Sequence, residues 1–250
     1  MSCSSLTEID LPYAYTIGSS AFQNCNALSQ VSLPEVSNIF SYAFSGCQNL
    51  QTAYLPKTSF IGGSAFYGCS NLSEISCPTF AGTINNATFS GCYKLQTAYF
   101  PNATSIGASA FQSCYRLVNA TFTNVSNLGS AAFSYCGGLS SVDFPSVRYV
   151  GAYAFHRCSN ISVLSFPSLT GIGNYAFSSC YRLISLYLLG STVATLASST
   201  VFSSSPMKGY TDFTDGVMGS IYVPASLYSA YKSASQWSYF AARFVSVEDE

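Results

Sequence analysis

The apolar residues of this chain recur with a fixed period. Phe recurs every 22 residues, once after 23, and a Cys follows three residues after each Phe. Counted from Cys, position +3 is aliphatic, +6 is small or branched, and +8 is apolar and usually precedes Pro. The period predicts a stack of equivalent units. The periodic residues are Phe22, Phe44, Phe66, Phe89, Phe111, Phe133, Phe155 and Phe177, with Cys3, Cys25, Cys47, Cys69, Cys92, Cys114, Cys136, Cys158 and Cys180 in phase.

Each repeat is predicted to hold one short strand. Apolar positions +6 and +8 alternate with polar positions +5 and +7, and Pro at +9 lacks the N–H needed to extend a ladder. The rest of the unit, Ile-Gly and then Ala-Phe, is expected to return the chain as a short helical or 3₁₀ segment on the outer face. A unit of this size cannot bury its own apolar face, so neighbours must stack around one core. We therefore expect at least eight parallel strands in one uninterrupted sheet.

Composition narrows the class of protein. The 250 residues are 48% hydrophobic, which excludes disorder, and only 8% are Asp, Glu, Lys or Arg. With a net charge of -1, the protein has no positive electrostatic field that would attract the phosphate backbone of nucleic acid. Nucleic acid is therefore not an expected partner. No apolar run is long enough for a membrane span, so we expect no membrane insertion. Residues 1–4 do not resemble the start of a signal peptide.

The cysteine column invites comparison with metal sites and disulfides. Zinc needs four ligands converging on one point with C-x-x-C-like spacing, which is missing. Cysteines stacked about 4.8 Å apart are also too far apart for disulfide geometry. We predict buried, reduced structural thiols, and we expect no metal and no cofactor.

The repeated Ala-Phe-x-x-Cys-x-x-Leu segment resembles the BspA-like, or treponemal-type, leucine-rich repeat family over about residues 3–189. The resemblance implies an α/β solenoid, a right-handed stack of about nine 22–23-residue repeats with a parallel sheet. It also implies a surface-displayed or secreted bacterial protein that adheres to host or microbial surface proteins or glycans, and not an enzyme. Similar repeats in phages of gut bacteria leave a tail-associated receptor-binding protein, and hence a virion, as the alternative.

The repeat pattern fails after Leu189. We predict residues 190–250 to be an irregular last repeat and a C-terminal cap of the same domain. Ile221–Val223 is predicted to be one last strand, and Pro224 to open an amphipathic helix. The apolar face of that helix contains Leu227, Tyr231, Ala234, Trp237 and Ala241.

The candidate binding face is the concave strand surface, because positions +5 and +7 can vary without harming the core. Tyr is a favourable anchor there, since it is amphipathic and costs little entropy to immobilise. The predicted ligand-binding residues are Tyr54, Tyr99 and Tyr187 with Gln51, Gln96, Thr52 and Thr97 around them.

Other candidate sites are weaker. The pairs Tyr93-Lys94, Tyr115-Arg116 and Tyr181-Arg182 are expected to cluster on one edge with Arg157 near them, as an alternative binding site. A glycan-active enzyme is a further alternative, since Glu8 and Asp10 form a carboxylate pair on one strand face. The single histidine, His156, is expected to be an exposed turn residue, and no catalytic residue is predicted.

Overall fold

The computed structural model describes residues 3, 5–210, 212 and 214–249. They form a parallel-strand solenoid of about 11 turns with little helix, which confirms the predicted leucine-rich-repeat fold. The strands, in chain order, are β1 (Glu8–Asp10), β2 (Thr16–Ile17), β3 (Gln30–Ser32), β4 (Asn38–Ile39), β5 (Thr52–Tyr54), β6 (Phe60–Ile61), β7 (Glu74–Ser76), β8 (Thr83–Ile84), β9 (Thr97–Tyr99), β10 (Ser105–Ile106), β11 (Asn119–Thr121), β12 (Asn127–Leu128), β13 (Tyr149–Val150), β14 (Val163–Ser165), β15 (Gly171–Ile172), β16 (Ser185–Tyr187), β17 (Thr195–Leu196), β18 (Ser220–Pro224) and β19 (Phe244–Val247).

The strands form two columns along the stack. The first column occupies the predicted positions +5 to +7 and contains the sheets β1-β3-β5-β7-β9-β11 and β14-β16-β18-β19. The second column lies at the Ile-Gly step and contains β2-β4-β6 and β8-β10-β12-β13-β15-β17. All pairs are parallel, and most join a residue to its equivalent one repeat later, as Ile9 pairs with Val31. The sequence pattern had indicated only the first column.

The prediction of one uninterrupted sheet is wrong. Residues Ser141–Asp143 occupy the strand position of their repeat but form no strand. The sheets on either side end at β11 and β14. Val142 and Phe144 are nevertheless buried like their equivalents, so the apolar core continues across a gap in the hydrogen-bond ladder.

The expected helical return on the outer face is also wrong. The Ala-Phe segment is a series of turns, because alternate N–H groups bond to the next repeat and the others close local i→i−3 turns, so no continuous helix forms. Phe44 N, for example, donates to Ala65 O at 2.8 Å. Two residues per repeat have positive φ, such as Ser64 and Gly68.

Adjacent turns approach closely at the Ile-Gly step, although Phe40 and Asn85 occupy the glycine position in two repeats. A Cβ on Gly151 would lie 2.6 Å from the carbonyl carbon of Gly129, a distance that no relaxed structure tolerates. Gly18, in the first described turn, has nothing within 4 Å of the same position. Stacking therefore favours glycine at position 151.

Columns of Phe and Cys side chains run through the core beside the periodic aliphatic residues. Phe rings stack at spacings such as 5.3 Å between Phe44 and Phe66. Behind them the thiols from Cys47 to Cys180 at the periodic position donate to the carbonyl of the preceding repeat's Phe, as Cys69 Sγ does to Phe44 O at 3.1 Å. The ten cysteines are free, and nine are buried. Cys3 is exposed, so the prediction that every periodic cysteine is buried is wrong for this residue.

The repeat continues for one turn beyond the point where its sequence pattern fails. β17 takes the Ile-Gly position, and Phe202 stacks on Phe177 at 5.6 Å. Ser205 occupies the Cys position, three residues after Phe202, and is fully buried. Residues 206–219 then separate this position from β18, which hid the repeat from the sequence pattern.

The C-terminal residues cover the end of the Phe column. They form a 3₁₀ helix (Ala225–Leu227), the helix α1 (Tyr228–Ser233), a second 3₁₀ helix (Trp237–Arg243) and β19. Trp237 and Phe240 contact Phe202, and Trp237 Nε1 donates to Ala194 O at 2.6 Å. The predicted single helix is wrong, because Gln236 with φ 66° interrupts it. The domain boundary at residue 190 stays a prediction.

Candidate functional site on the strand face

The strand face, defined as positions +5 and +7 of the first strand column, is free of the core. In β1 the central residue is buried and its two neighbours are exposed, and β3 and β7 show the same alternation with a half-buried last residue. The twelve strand-face positions in the first six strands can therefore carry a ligand without unpacking the fold. Lys and Arg are absent from these positions before residue 190, whereas Glu8, Asp10, Glu74 and Asp143 occupy four of them.

Tyr54 and Tyr99 lie on this face as expected. Tyr54 is 60% exposed and Tyr99 is 41% exposed. Both pair in register with Ser76, which places them two strands apart, or about 10 Å. The small serine between the two rings leaves room for a ligand group.

A cavity of about 440 Å³ adjoins Tyr54 and brings some of the predicted residues together. Thr52 lines it, and Glu74 on the next strand contributes a carboxylate that was not among the predicted binding residues. Thr97 pairs with Glu74 in register. Gln51 and Gln96 are exposed beside the strands, and their main-chain N–H groups take part in the ladder between turns.

Tyr187 does not join this group. It lies on β16, beyond the gap at Ser141–Asp143, and its ring stacks on Tyr222 with centroids 4.3 Å apart. Tyr222 extends the +7 column and was missed, because counting from Cys fails in the last repeat. The strand face thus carries two separate tyrosine pairs.

The alternative edge site is partly assembled. Tyr93 and Tyr115 stack with centroids 5.3 Å apart, and Lys94 and Arg116 are exposed next to them. Tyr181 instead contacts Tyr210 of the last repeat. The guanidinium of Arg157 lies over the ring of Tyr135 at 5.3 Å.

His156 is half-buried, which corrects the expectation of an exposed turn residue. Its Nδ1 lies 2.6 Å from Ser178 Oγ, and the edges of its ring meet Tyr135 and Tyr153. Burial lowers its pKa, and the neighbouring positive charge of Arg157 lowers the pKa further. The neutral imidazole is therefore part of a packed aromatic cluster.

The carboxylate pair Glu8 and Asp10 is exposed on the first described strand, where Glu8 accepts a hydrogen bond from Gln30 Nε2 at 3.3 Å. Across the described residues, no three His, Cys, Asp or Glu side chains converge on a metal-sized site. The same residues contain no helix with the length and hydropathy of a membrane span.

Comparison with known proteins agrees with this architecture. The model of the BspA-type leucine-rich repeat region matches residues 1–118 and 82–208 with six copies. The chain belongs to the BspA-type leucine-rich repeat family. A search of curated proteins gives no significant match.

Solved structures show the same fold. A leucine-rich cell surface protein from Faecalibacterium prausnitzii is 20% identical with a TM-score of 0.52, covering 98% of this chain and 80% of that one. A leucine-rich repeat protein of T. pallidum is 28% identical with a TM-score of 0.50, covering 70% of this chain and 77% of that one. These likenesses support the assignment of the solenoid fold.

Proposed function

We propose that this BspA-type chain is a non-catalytic binding or adhesion module that recognises a protein or glycan at a bacterial cell surface. The observation that carries the proposal is the strand face, where exposed side chains are presented in register and separated from the core. The description of the F. prausnitzii structure as a cell surface protein supports the location.

The ligand contact is proposed to centre on Tyr54 and Tyr99. Both rings are anchored on a rigid ladder, so binding them costs little conformational entropy. The carboxylate of Glu74 lies between their strands, and without nearby cations the face favours neutral or positively charged ligand groups. Hydrogen-bonding side chains at Thr52 and Thr97 complete a surface suited to protein or sugar.

The experiment is a screen of extracellular-matrix proteins and a glycan array, followed by the double variant Tyr54→Ser/Tyr99→Ser. Each tyrosine at a binding hot spot contributes about 1 kcal/mol or more, so the double variant should bind about thirtyfold more weakly. Its circular dichroism should match that of the unmodified protein, because both rings are exposed.

The matched control is Tyr13→Ser/Tyr67→Ser, which removes two tyrosines that are 86% and 50% exposed and lie off the strand face. This control should bind normally. Unchanged binding by the Tyr54→Ser/Tyr99→Ser protein would contradict the proposal and would move the contact to the Tyr93–Tyr115 edge or the C-terminal segment.

A further inference from the structure

The gap in the first strand column leaves main-chain groups without partners. In the neighbouring turns, Gln96 N donates to Ser73 O at 2.8 Å and Phe100 N donates to Thr121 O at 3.1 Å. Residues 140–144, all of them described, make no main-chain hydrogen bond to either adjacent turn. Unpaired main-chain groups must bind water or a ligand. A site for hydrogen bonding thus lies within the strand face.

A cavity of about 650 Å³ lies at this gap. Its volume falls within the range of about 300–1,000 Å³ found for ligand sites. Side chains from three successive turns line it, and its polar members are Asn119, Thr121, Thr123, Ser141, Asp143 and Ser165. The break in the ladder and the cavity therefore coincide.

The lining favours a neutral ligand rich in hydroxyl groups. Asp143 is its only charged side chain, so an anionic ligand would meet repulsion without a compensating cation. A sugar hydroxyl both donates and accepts, which suits a surface of carboxylate, amide, hydroxyl and main-chain groups. Val118, Pro145 and Pro167 add apolar surface against which the C–H faces of a sugar ring can pack.

We propose that the strand face over Ser141–Asp143, between β11 and β14, is a binding site for a neutral oligosaccharide. An extended peptide fits less well, because strand addition needs a free sheet edge and the space between these strands is filled by Ser141–Asp143. The proposal deepens the proposed function and rests on it, since it assumes that the strand face is a binding surface. It names a ligand class and a position distinct from the cavity at Tyr54.

The test is a glycan array containing neutral, sialylated and sulfated oligosaccharides, probed with the full chain and with Asp143→Asn/Thr121→Val. Both side chains are exposed, so the variant should fold normally. We expect binding to neutral oligosaccharides, weakened about tenfold or more in the variant because hydrogen bonds to a charged group are lost. Asp10→Asn, a change at the same +7 position of β1, should leave binding unchanged.

Nuclear magnetic resonance gives a local readout with the neutral oligosaccharide that binds best on the array. Its addition should shift the amide signals of Thr121, Val142 and Asp143. Binding confined to acidic glycans or to peptides, or equal binding by Asp143→Asn/Thr121→Val, would overturn the proposal. Loss of a protein ligand in Tyr54→Ser/Tyr99→Ser, without any neutral glycan binding, would overturn this inference alone. Failure of every glycan and matrix protein to bind would overturn both proposals.

Discussion

Raising the pH above 9 should destabilise this protein steeply, because its thiols are buried. Burial raises the pKa of Cys180 to about 12, from an ordinary value of 9.0. Six further cysteines with no exposed surface also have raised pKa values through burial, namely Cys47, Cys69, Cys77, Cys92, Cys114 and Cys158. Between pH 9 and the raised pKa values, the thiols of the unfolded chain lose protons that the buried thiols of the folded chain keep. The stabilisation is therefore complete below pH 9 and is lost as the pH rises.

The size of the effect follows from proton linkage. One pH unit above the ordinary pKa, each buried thiol costs about 1.4 kcal/mol of folding free energy. For seven such thiols the loss of folding free energy at pH 10 is about 10 kcal/mol on the same basis. A typical domain is stable by about 5–15 kcal/mol, so this loss removes much or all of the stability.

The assay is urea unfolding followed by circular dichroism between pH 7 and pH 10.5, with a phosphine reductant present. Cys3→Ser should leave the pH dependence of the free energy of unfolding unchanged, because Cys3 is exposed. Cys114→Ala should lower the free energy of unfolding at pH 7. It should also make the fall of that free energy with rising alkaline pH shallower, because one fewer thiol proton contributes to it. A free energy of unfolding at pH 10 within about 1 kcal/mol of its pH 7 value would refute the reasoning.

Two further predictions concern packing. Gly151→Ala should destabilise the protein by about 2 kcal/mol or more, since its Cβ would meet the backbone of Gly129, while the matched Gly18→Ala should be neutral; thermal unfolding of both checks this, and equal melting temperatures would count against the packing argument. Trp237→Ala should cost about 3–5 kcal/mol and expose the C-terminal residues to protease, because the ring is buried against Phe202. Resistance to proteolysis equal to that of the unmodified protein would show that Trp237 does not hold the cap.

Much of the fold was predictable because each residue in a stack of repeats contacts the equivalent residues of the neighbouring repeats. Equivalent residues in successive repeats pair with one another, so the register of the parallel strands is unambiguous. The positions of the strand face and of Tyr54 and Tyr99 could therefore be found by counting residues from each Cys. The helical return was mispredicted since local propensity says nothing about N–H groups that bond to a neighbouring turn. The half-buried state of His156 likewise depends on Tyr135 and Tyr153, which lie on its own and an adjacent repeat.

The gap at Ser141–Asp143 was not predictable from the repeat. Its turn has the expected Leu139, Val142, Phe144 and Pro145, so by pattern it should form a strand like its neighbours. Whether the ladder closes depends on how three successive turns fit together, and the repeat pattern does not describe that fit. The last repeat was hidden for a different reason, since Ser205 replaces Cys and residues 206–219 interrupt the spacing.

The sequence alone determined the period, the buried columns and the face left free for binding, because these depend only on which residue types recur at which spacing. The tertiary structure decided where the sheet breaks, which tyrosines meet and which main-chain carbonyls accept hydrogen bonds from the thiols. Those features depend on contacts between turns 22 or more residues apart, where differences of about an ångström decide whether a hydrogen bond forms.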